Sequence, residues 1–389
     1  MAASVKVQTS NVPLPCELHC HVAVTWRNAT LVWGGYTTSE HEDTKSNLYL
    51  HLSGKWTKQK THGDFPYRIG CQEAHVQNDT MFVLSKTNIG NINVMHSLDL
   101  NTWMWTMSTP SGTAPSGSYG ISSWAYRGNI YYFGGGIDNP DNNPDMLYVP
   151  NNQLVSYNIS TDSWEWPDTY GHIPSPRLYH KMIISHDTVF LFGGMELDHE
   201  NCNDLLFLDL PSMTWKKVHG NMSNGEGPNN AVNNTFTSIS ESTAVVVGSF
   251  YNDNTKKGVE DSWLLNLQNA KQLMNLSSIW TRVDIDIHRL HHAAVLQPIS
   301  KKLWVIGGHN YGSKRDILPN LLKINFLKLA PLKDLALDIV AGNICACDPR
   351  LGFDELPRQL RAEIDAYKRE NGEETACSCE TRGNIVAHP

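Results

Sequence analysis

The sequence has no long apolar run. None of its hydrophobic stretches approaches the roughly 20 residues that a bilayer-spanning helix needs, so no membrane span is expected. The opening residues, Met1-Ala2-Ala3-Ser4-Val5-Lys6, carry no apolar core of the kind that directs secretion, and no signal peptide is expected. There is no surplus of positive charge either. With 31 Lys and Arg against 39 Asp and Glu, the formal net charge is −8, which argues against a basic surface for nucleic acid. Cysteine is sparse. Eight thiols in 389 residues, without a secretion signal, read as free in a reducing compartment, so cytoplasm or nucleus is the expected location. Sequons such as Asn28-Ala29-Thr30 and Asn158-Ile159-Ser160 then read as chance matches.

Signatures of catalysis are missing as well. No Gly-rich phosphate loop, nucleophile elbow or paired-carboxylate pattern occurs, and no enzyme is expected. The neighbours His291 and His292 would point to opposite faces of a strand and cannot readily share one ion. Cys345-Ala346-Cys347 and Cys377-Ser378-Cys379 lack the C-x₂-C spacing of zinc sites. Neither a metal nor a cofactor is expected. Cys20, clustered with Cys16, His19 and His21, is expected to be a core thiol of a first inner strand.

What is present is a repeat. Val189-Phe190-Leu191-Phe192-Gly193-Gly194 reads as a buried strand ending in a tight turn that requires glycine, and Trp215 follows. The unit recurs as Leu31 to Gly35 before Trp56, and as Ile130 to Gly135 before Trp164 and Trp166. Leu303 to Gly308 lacks a following tryptophan. Degenerate copies, Met81 to Ser85 before Trp103 and Trp105 and Ala244 to Ser249 before Trp280, fill the gaps. The second turn residues, Gly35, Ser85, Gly135, Gly194, Ser249 and Gly308, recur at about 50 to 60 residues, the period of kelch propeller blades.

On these residues the chain resembles kelch-repeat proteins over about residues 16–330. The resemblance implies an all-β fold: a six-bladed kelch β-propeller, residues 1–330, with a short C-terminal α-helical appendage. Each repeat reads as four strands, and six third strands can be found, from Leu48 to Leu52 through Leu321 to Phe326. The sixth repeat lacks an outer strand. An unpaired edge is avoided in proteins, so the segment around Val5-Lys6-Val7-Gln8 is expected to close that blade. His292 shares an inner-strand position with His21 and His180, which points to a structural role in the repeat. The third repeat carries a long polar loop, Gly136 to Asp145.

Arginine stands three residues before the histidine-equivalent position in three repeats: Arg68 before Cys71, Arg177 before His180, and Arg289 before His292. Repetition would gather these groups at one mouth near the ring axis, suited to an acidic peptide or the C-terminus of a target protein. Ser118, Tyr119, Tyr179 and His291 complete the expected substrate-binding wall. The alternative is that the arginines pair with nearby loop carboxylates and hold the blades together.

Past the propeller the period becomes helical. Leu332, Leu335, Ala336, Ile339 and Val340 form one stripe after Pro331, and a second helix is expected from Asp354. The tail, residues 368–389, has no apolar period and is expected to be disordered.

His21 to Tyr36, Trp124-Ala125-Tyr126, Pro174-Ser175-Pro176-Arg177 and Asn203-Asp204-Leu205 are similar to the kelch domain-containing substrate receptors of ubiquitin ligases. Some of those receptors grip a C-terminal diglycine. This sequence departs from that pocket at Gly136, Met195, Asn230-Ala231-Val232-Asn233 and His291, so the diglycine preference does not transfer. Residues 331–367 extend the resemblance. Leu332, Leu335, Ala336 and Val340 are similar to an elongin-binding box, with Ala336 where cysteine is usual. Leu356, Pro357 and Leu360 resemble the cullin-contact box that follows. The resemblance implies a substrate-recognition subunit that joins elongin B–C and a cullin-2-type scaffold to a protein or peptide target, without nucleic acid or membrane. The alternative is a non-catalytic kelch scaffold whose helices cap the ring's flank.

Overall fold

Short hairpins set the architecture. Asn78-Asp79 and Arg127-Gly128 join inner to second strands, and Ser53-Gly54 joins a third to an outer strand. Each pair has positive φ at both residues, the turn whose twist matches that of the flanking strands. Repeated, these turns build six antiparallel sheets around one axis. The computed structural model describes residues 3–4, 6–9, 18–37, 47–66, 73–86, 93–117, 119–139, 147–197, 201–218, 227–228, 234–252, 257–260, 262–272, 279–284, 287, 289–297, 301–309 and 321–325.

Blade one contains Val22–Trp26, Ala29–Trp33, Asn47–Leu52 and Lys55–Lys60, from axis to rim. Blade two contains Ala74–Gln77, Thr80–Lys86, Asn93–Asp99 and Met104–Met107. Blade three contains Ser122–Tyr126, Asn129–Phe133, Leu154–Asn158 and Ser163–Glu165. Blade four contains Lys181–Ser185, Thr188–Phe192, Leu205–Asp209 and Thr214–Lys217. Blade five contains Thr235–Ser238, Thr243–Val247, Ser262–Asn266 and Trp280–Asp284. Blade six contains Ala293–Leu296, Leu303–Ile306, Leu321–Asn325 and, antiparallel to the last of these, Lys6–Thr9.

The same N-terminal stretch touches two blades, because Ala3–Ser4 also runs parallel to Val283 and Asp284 at the rim of blade five. Inner strands neighbour one another around the axis, and Ala293–Leu296 lies beside Val22–Trp26 where the ring closes.

Four second strands, Ala29–Trp33, Thr188–Phe192, Thr243–Val247 and Leu303–Ile306, are buried along their whole length. Each is covered on both faces by neighbouring blades, which is why the sequence shows continuous apolar runs there instead of alternation. Rim tryptophans cross the seams. Trp33 meets Trp105 at 4.8 Å between ring centroids, Phe133 meets Trp215 at 5.2 Å, and Phe192 meets Trp280 at 5.2 Å. Each pair joins the end of one blade's second strand to the outer tryptophan of the next, which explains the recurrence of tryptophan after the glycine pair.

A further segment hydrogen-bonds along the rim of blade four: Tyr170–Gly171 runs parallel to Thr214 and Trp215. Gly171 has φ +79, and a Cβ there would fall on the carbonyl oxygen of Trp215, a backbone atom that cannot swing away. Gly171→Ala is therefore expected to lower stability by about 1–3 kcal/mol, read as an earlier urea midpoint. An unchanged midpoint would show that this rim segment contributes nothing to the blade.

Blades three and five each carry an extra hairpin, Gly136–Asp138 with Tyr148–Pro150 and Ser249–Asn252 with Lys257–Glu260. One short helix, Leu267–Lys271, follows the third strand of blade five, with the Asn266 side chain accepting a bond from Asn269 N. No helix among the described residues is long and apolar enough to cross a membrane. The molecule divides into two compact units, residues 1–326 and 327–389. The second lies outside the described residues, and with it the expectations for Leu332, Leu335, Ala336, Val340, Leu356, Pro357 and Leu360.

Candidate functional site

Loops that enter the inner strands and loops that leave the second strands open onto one face. They are tied together within blades by equivalent bridges: His19 with Tyr36, Tyr119 with Gly136, Leu178 with Met195, and Leu290 with His309. One residue after each entering bridge position the backbone turns left-handed, at Cys20 (φ +54), Gly120 (φ +62), Tyr179 (φ +59) and His291 (φ +54). These residues hydrogen-bond from blade to blade. Tyr179 N donates to Gly120 O at 2.7 Å, and Cys20 N donates to His291 O at 3.0 Å. Non-glycine residues hold this conformation only where the surroundings enforce it, so the mouth is a rigid collar. The expectation for Cys20 is corrected by it: the thiol is half-buried at this bend, ahead of the strand that begins at Val22.

Beneath the collar the repeated histidines wedge the blades apart. A Cβ on Gly134 would meet His180 Cε1 at 2.8 Å, and one on Gly307 would meet His21 Cε1 at 2.7 Å. His292 stands in the same relation to Gly248. All three imidazoles are buried. Burial holds His21 and His292 down to about 3, with the charges of His19 and Arg289 adding to the respective effects, and holds His180 well below the usual range. They are neutral spacers, which accounts for their recurrence.

Arg177 is 1% exposed. Its Nε donates to Ser175 O at 3.2 Å, one terminal nitrogen donates to Gly193 O at 3.0 Å and Asp204 Oδ1 at 2.6 Å, and the other donates to Ser175 Oγ at 2.7 Å and Asp204 Oδ2 at 3.3 Å. All five N–H groups are used inside blade four. Burial works against the guanidinium charge, but the Asp204 carboxylate outweighs it and holds the group above its usual value. Arg289, 3% exposed, makes the equivalent bond from a terminal nitrogen to Gly307 O at 3.1 Å, and burial lowers it to about 10. Both arginines are framework residues, which corrects their assignment to the substrate-binding wall. Arg68 and Ser118 lie outside the described residues.

The remaining expected residues do reach the mouth, in two groups. Tyr119 stacks on Tyr148 at 4.0 Å and meets Tyr179 edge-on at 5.4 Å, which makes a tyrosine wall across blades three and four. On the opposite arc His291 meets His309 at 5.3 Å, His309 meets His19 at 5.5 Å, and His19 meets Tyr36 at 5.6 Å. Tyr36 is 51% exposed. Tyr36, His309, Tyr148 and His19 are additions to the binding residues expected from the sequence. The signal for the first two is their place directly after a Gly-Gly pair, which puts each opposite an entering loop. Lys86, in the glycine-poor second repeat, sends its ammonium to Asp138 Oδ2 at 2.7 Å and fastens the extra hairpin of blade three to blade two. On the axis below, Lys181 pairs with Glu73 at 3.1 Å, and His21, Ser122, Thr235 and His292 line the same cavity.

Residues 20–150 and 141–330 match the KLHDC2/KLHL20/DRC7 Kelch-repeats domain. The protein belongs to the kelch-repeat family. Kelch domain-containing protein 1 of Homo sapiens is 26% identical to this kelch protein over 326 residues, 77% of this sequence and 76% of that one. Kelch domain-containing protein 2 of Bos taurus is 24% identical over 283 residues, 66% of this sequence and 68% of the relative. Host cell factor 2 of Homo sapiens is 27% identical over 230 residues, but these are only 28% of its length. In solved structures the fold is shared with YjhT, at TM-score 0.59 and 14% identity over 80% of this protein and 99% of that one. The kelch propeller is a protein-interaction domain.

Proposed function

We propose that this kelch protein is the substrate-recognition subunit of an elongin B–C/cullin-RING ubiquitin ligase, presenting a target peptide or C-terminus at the propeller mouth. The observation that supports recognition most directly is the rigid mouth walled by Tyr119, Tyr148 and Tyr179 on one side and His19, His291 and His309 on the other. Aromatic side chains fixed by packing bind at low entropic cost, since little freedom is left to lose. With Arg177 and Arg289 committed to the framework, ring faces and imidazole nitrogens carry the contact. The adaptor part of the reading rests on residues 331–367, where Leu332, Leu335, Ala336 and Val340 would present an amphipathic stripe to elongin B–C, and Leu356, Pro357 and Leu360 would meet the cullin. Ubiquitin transfer would be performed by the bound machinery.

The test is a pull-down of purified elongin B–C with the full-length protein and with Leu332→Asp. The parent is expected to capture the adaptor. The variant should lose at least about 90% of the capture, because a carboxylate in an apolar groove is left unpaired. A folded parent that captures nothing would refute the ligase reading and leave a kelch interaction scaffold.

A further inference from the structure

The propeller axis is not filled. A cavity of about 140 Å³ lies between the inner strands. Its polar lining comes from His21, Glu73, Ser122, Lys181, Thr237 and His292, contributed by the six blades in order. Strand alternation puts such residues there. In Thr235–Ser238, Phe236 packs into the core while Thr235 and Thr237 take the other face. His292 is committed to the framework, with Nε2 3.2 Å from Thr235 Oγ1 and Nδ1 3.2 Å from Arg289 O. The others keep bonding capacity.

That capacity is divided by kind. Lys181 Nζ lies 3.1 Å from Glu73 Oε1, and the two side chains are 34% and 26% exposed, so solvent reaches both. The other oxygen of Glu73 makes no hydrogen bond among the described residues. Ser122 Oγ accepts from Met182 N at 3.1 Å, which leaves its proton to donate. Ser122 is buried, and a buried hydroxyl proton calls for an acceptor. His21 is buried too, and neither ring nitrogen completes a hydrogen bond among the described residues. The Ile306 carbonyl lies close enough to draw the N–H towards it and to oppose the effect of burial. Turned that way, the neutral imidazole keeps one acceptor nitrogen without a partner. Blades one and two thus offer acceptors, and blades three and four offer donors.

We infer that this cavity is a binding site for a small zwitterion, a free α-amino acid of the size of glycine, alanine or serine. Lys181 and the Ser122 hydroxyl meet the carboxylate, while the open oxygen of Glu73 and the His21 nitrogen accept from the ammonium. A simple anion would lie against Glu73 and a simple cation against Lys181, each facing a like charge. A ligand that carries both charges answers both poles with charge-assisted hydrogen bonds. Volume sets the ceiling. An apolar cavity of about 150 Å³ takes benzene, so about six non-hydrogen atoms fit here, which admits alanine and excludes the aromatic amino acids. The site lies below the collar and does not depend on the mouth holding a target.

Isothermal titration of the full-length protein with L-alanine tests this, with acetate, methylammonium and L-phenylalanine as comparators. L-Alanine is expected to bind saturably, and each comparator at least about tenfold more weakly. Lys181→Met and Glu73→Gln should each weaken alanine binding about tenfold, and Lys55→Met on the outer strand of blade one should leave it unchanged. Thermal unfolding checks that each variant is folded; where one is not, the four ligands on the parent decide alone. No binding of L-alanine by the parent, acetate or methylammonium binding as well as alanine, or equal binding by the folded Lys181→Met and Glu73→Gln variants would overturn the proposal.

Discussion

Arg177→Ala is expected to destabilise the propeller by about 3–5 kcal/mol, the cost of leaving a buried ion pair half-made. Asp204, half-buried beside it, would keep its charge with Lys217 at 3.2 Å as its remaining ion-pair partner, and Gly193 O would lose a donor. Arg177→Lys should recover little, because a single ammonium cannot supply five donors in the fork that Ser175, Gly193 and Asp204 require. The measurement is the urea midpoint of the full-length protein. If Arg177 were instead a ligand-binding residue, the alanine variant would unfold with the parent and lose only target capture.

Acidification should open the seams. His21, His180 and His292 are neutral in the folded protein, with values of about 3 for His21 and His292 and well below 6.5 for His180, whereas in the unfolded state they return to about 6.5. Above that value both states are neutral and the three residues contribute no pH dependence. As pH falls from 6.5 towards 3, the unfolded state takes up protons that the folded state refuses, so stability is lost across this window. At pH 5 the loss is on the order of 2 kcal/mol for each of His21 and His292, and His180 adds a loss of the same sign. Burial lowers His75 and His96 in the same direction, which steepens the fall. Asp204, Asp79 and Asp99 are shifted below their ordinary values and add their own loss only at lower pH. Urea midpoints at pH 7.5 and pH 5 are the check, and equal midpoints would refute the role of the seam histidines.

The ring was readable because one steric demand repeats. A Cβ on Gly194 would meet His180 Cβ at 2.8 Å, and one on Gly35 would meet His21 Cβ at 2.8 Å, so glycine is compelled wherever the second strand turns under the collar. In the degenerate second repeat the strand runs on through Lys86 to pair with Asn93, so the glycine is not needed and the signature fades. The fate of the arginines was not readable. Their type and spacing were plain, but Asp204 is 27 residues beyond Arg177, and only the folded blade brings the two together. The left-handed bend at Cys20 was hidden for a similar reason, since nothing local distinguishes it from the strand that follows. Tyr148 joins the mouth through a hairpin whose pairing no periodicity announces.

The strands Ala3–Ser4 and Lys6–Thr9, hydrogen-bonded to blade five and blade six, precede their partners in the chain by about 280 to 320 residues. Leu321–Asn325 must leave the ribosome before Lys6–Thr9 has an edge to join. Closing the ring thus takes a contact between the two ends of a domain of more than 300 residues, a long closure whose entropy must be met before the contact stabilises anything. An open solenoid can gain or lose a terminal repeat and remain soluble. This ring cannot: a seventh blade would have to enter between existing ones, because the place at the end is already taken by the beginning.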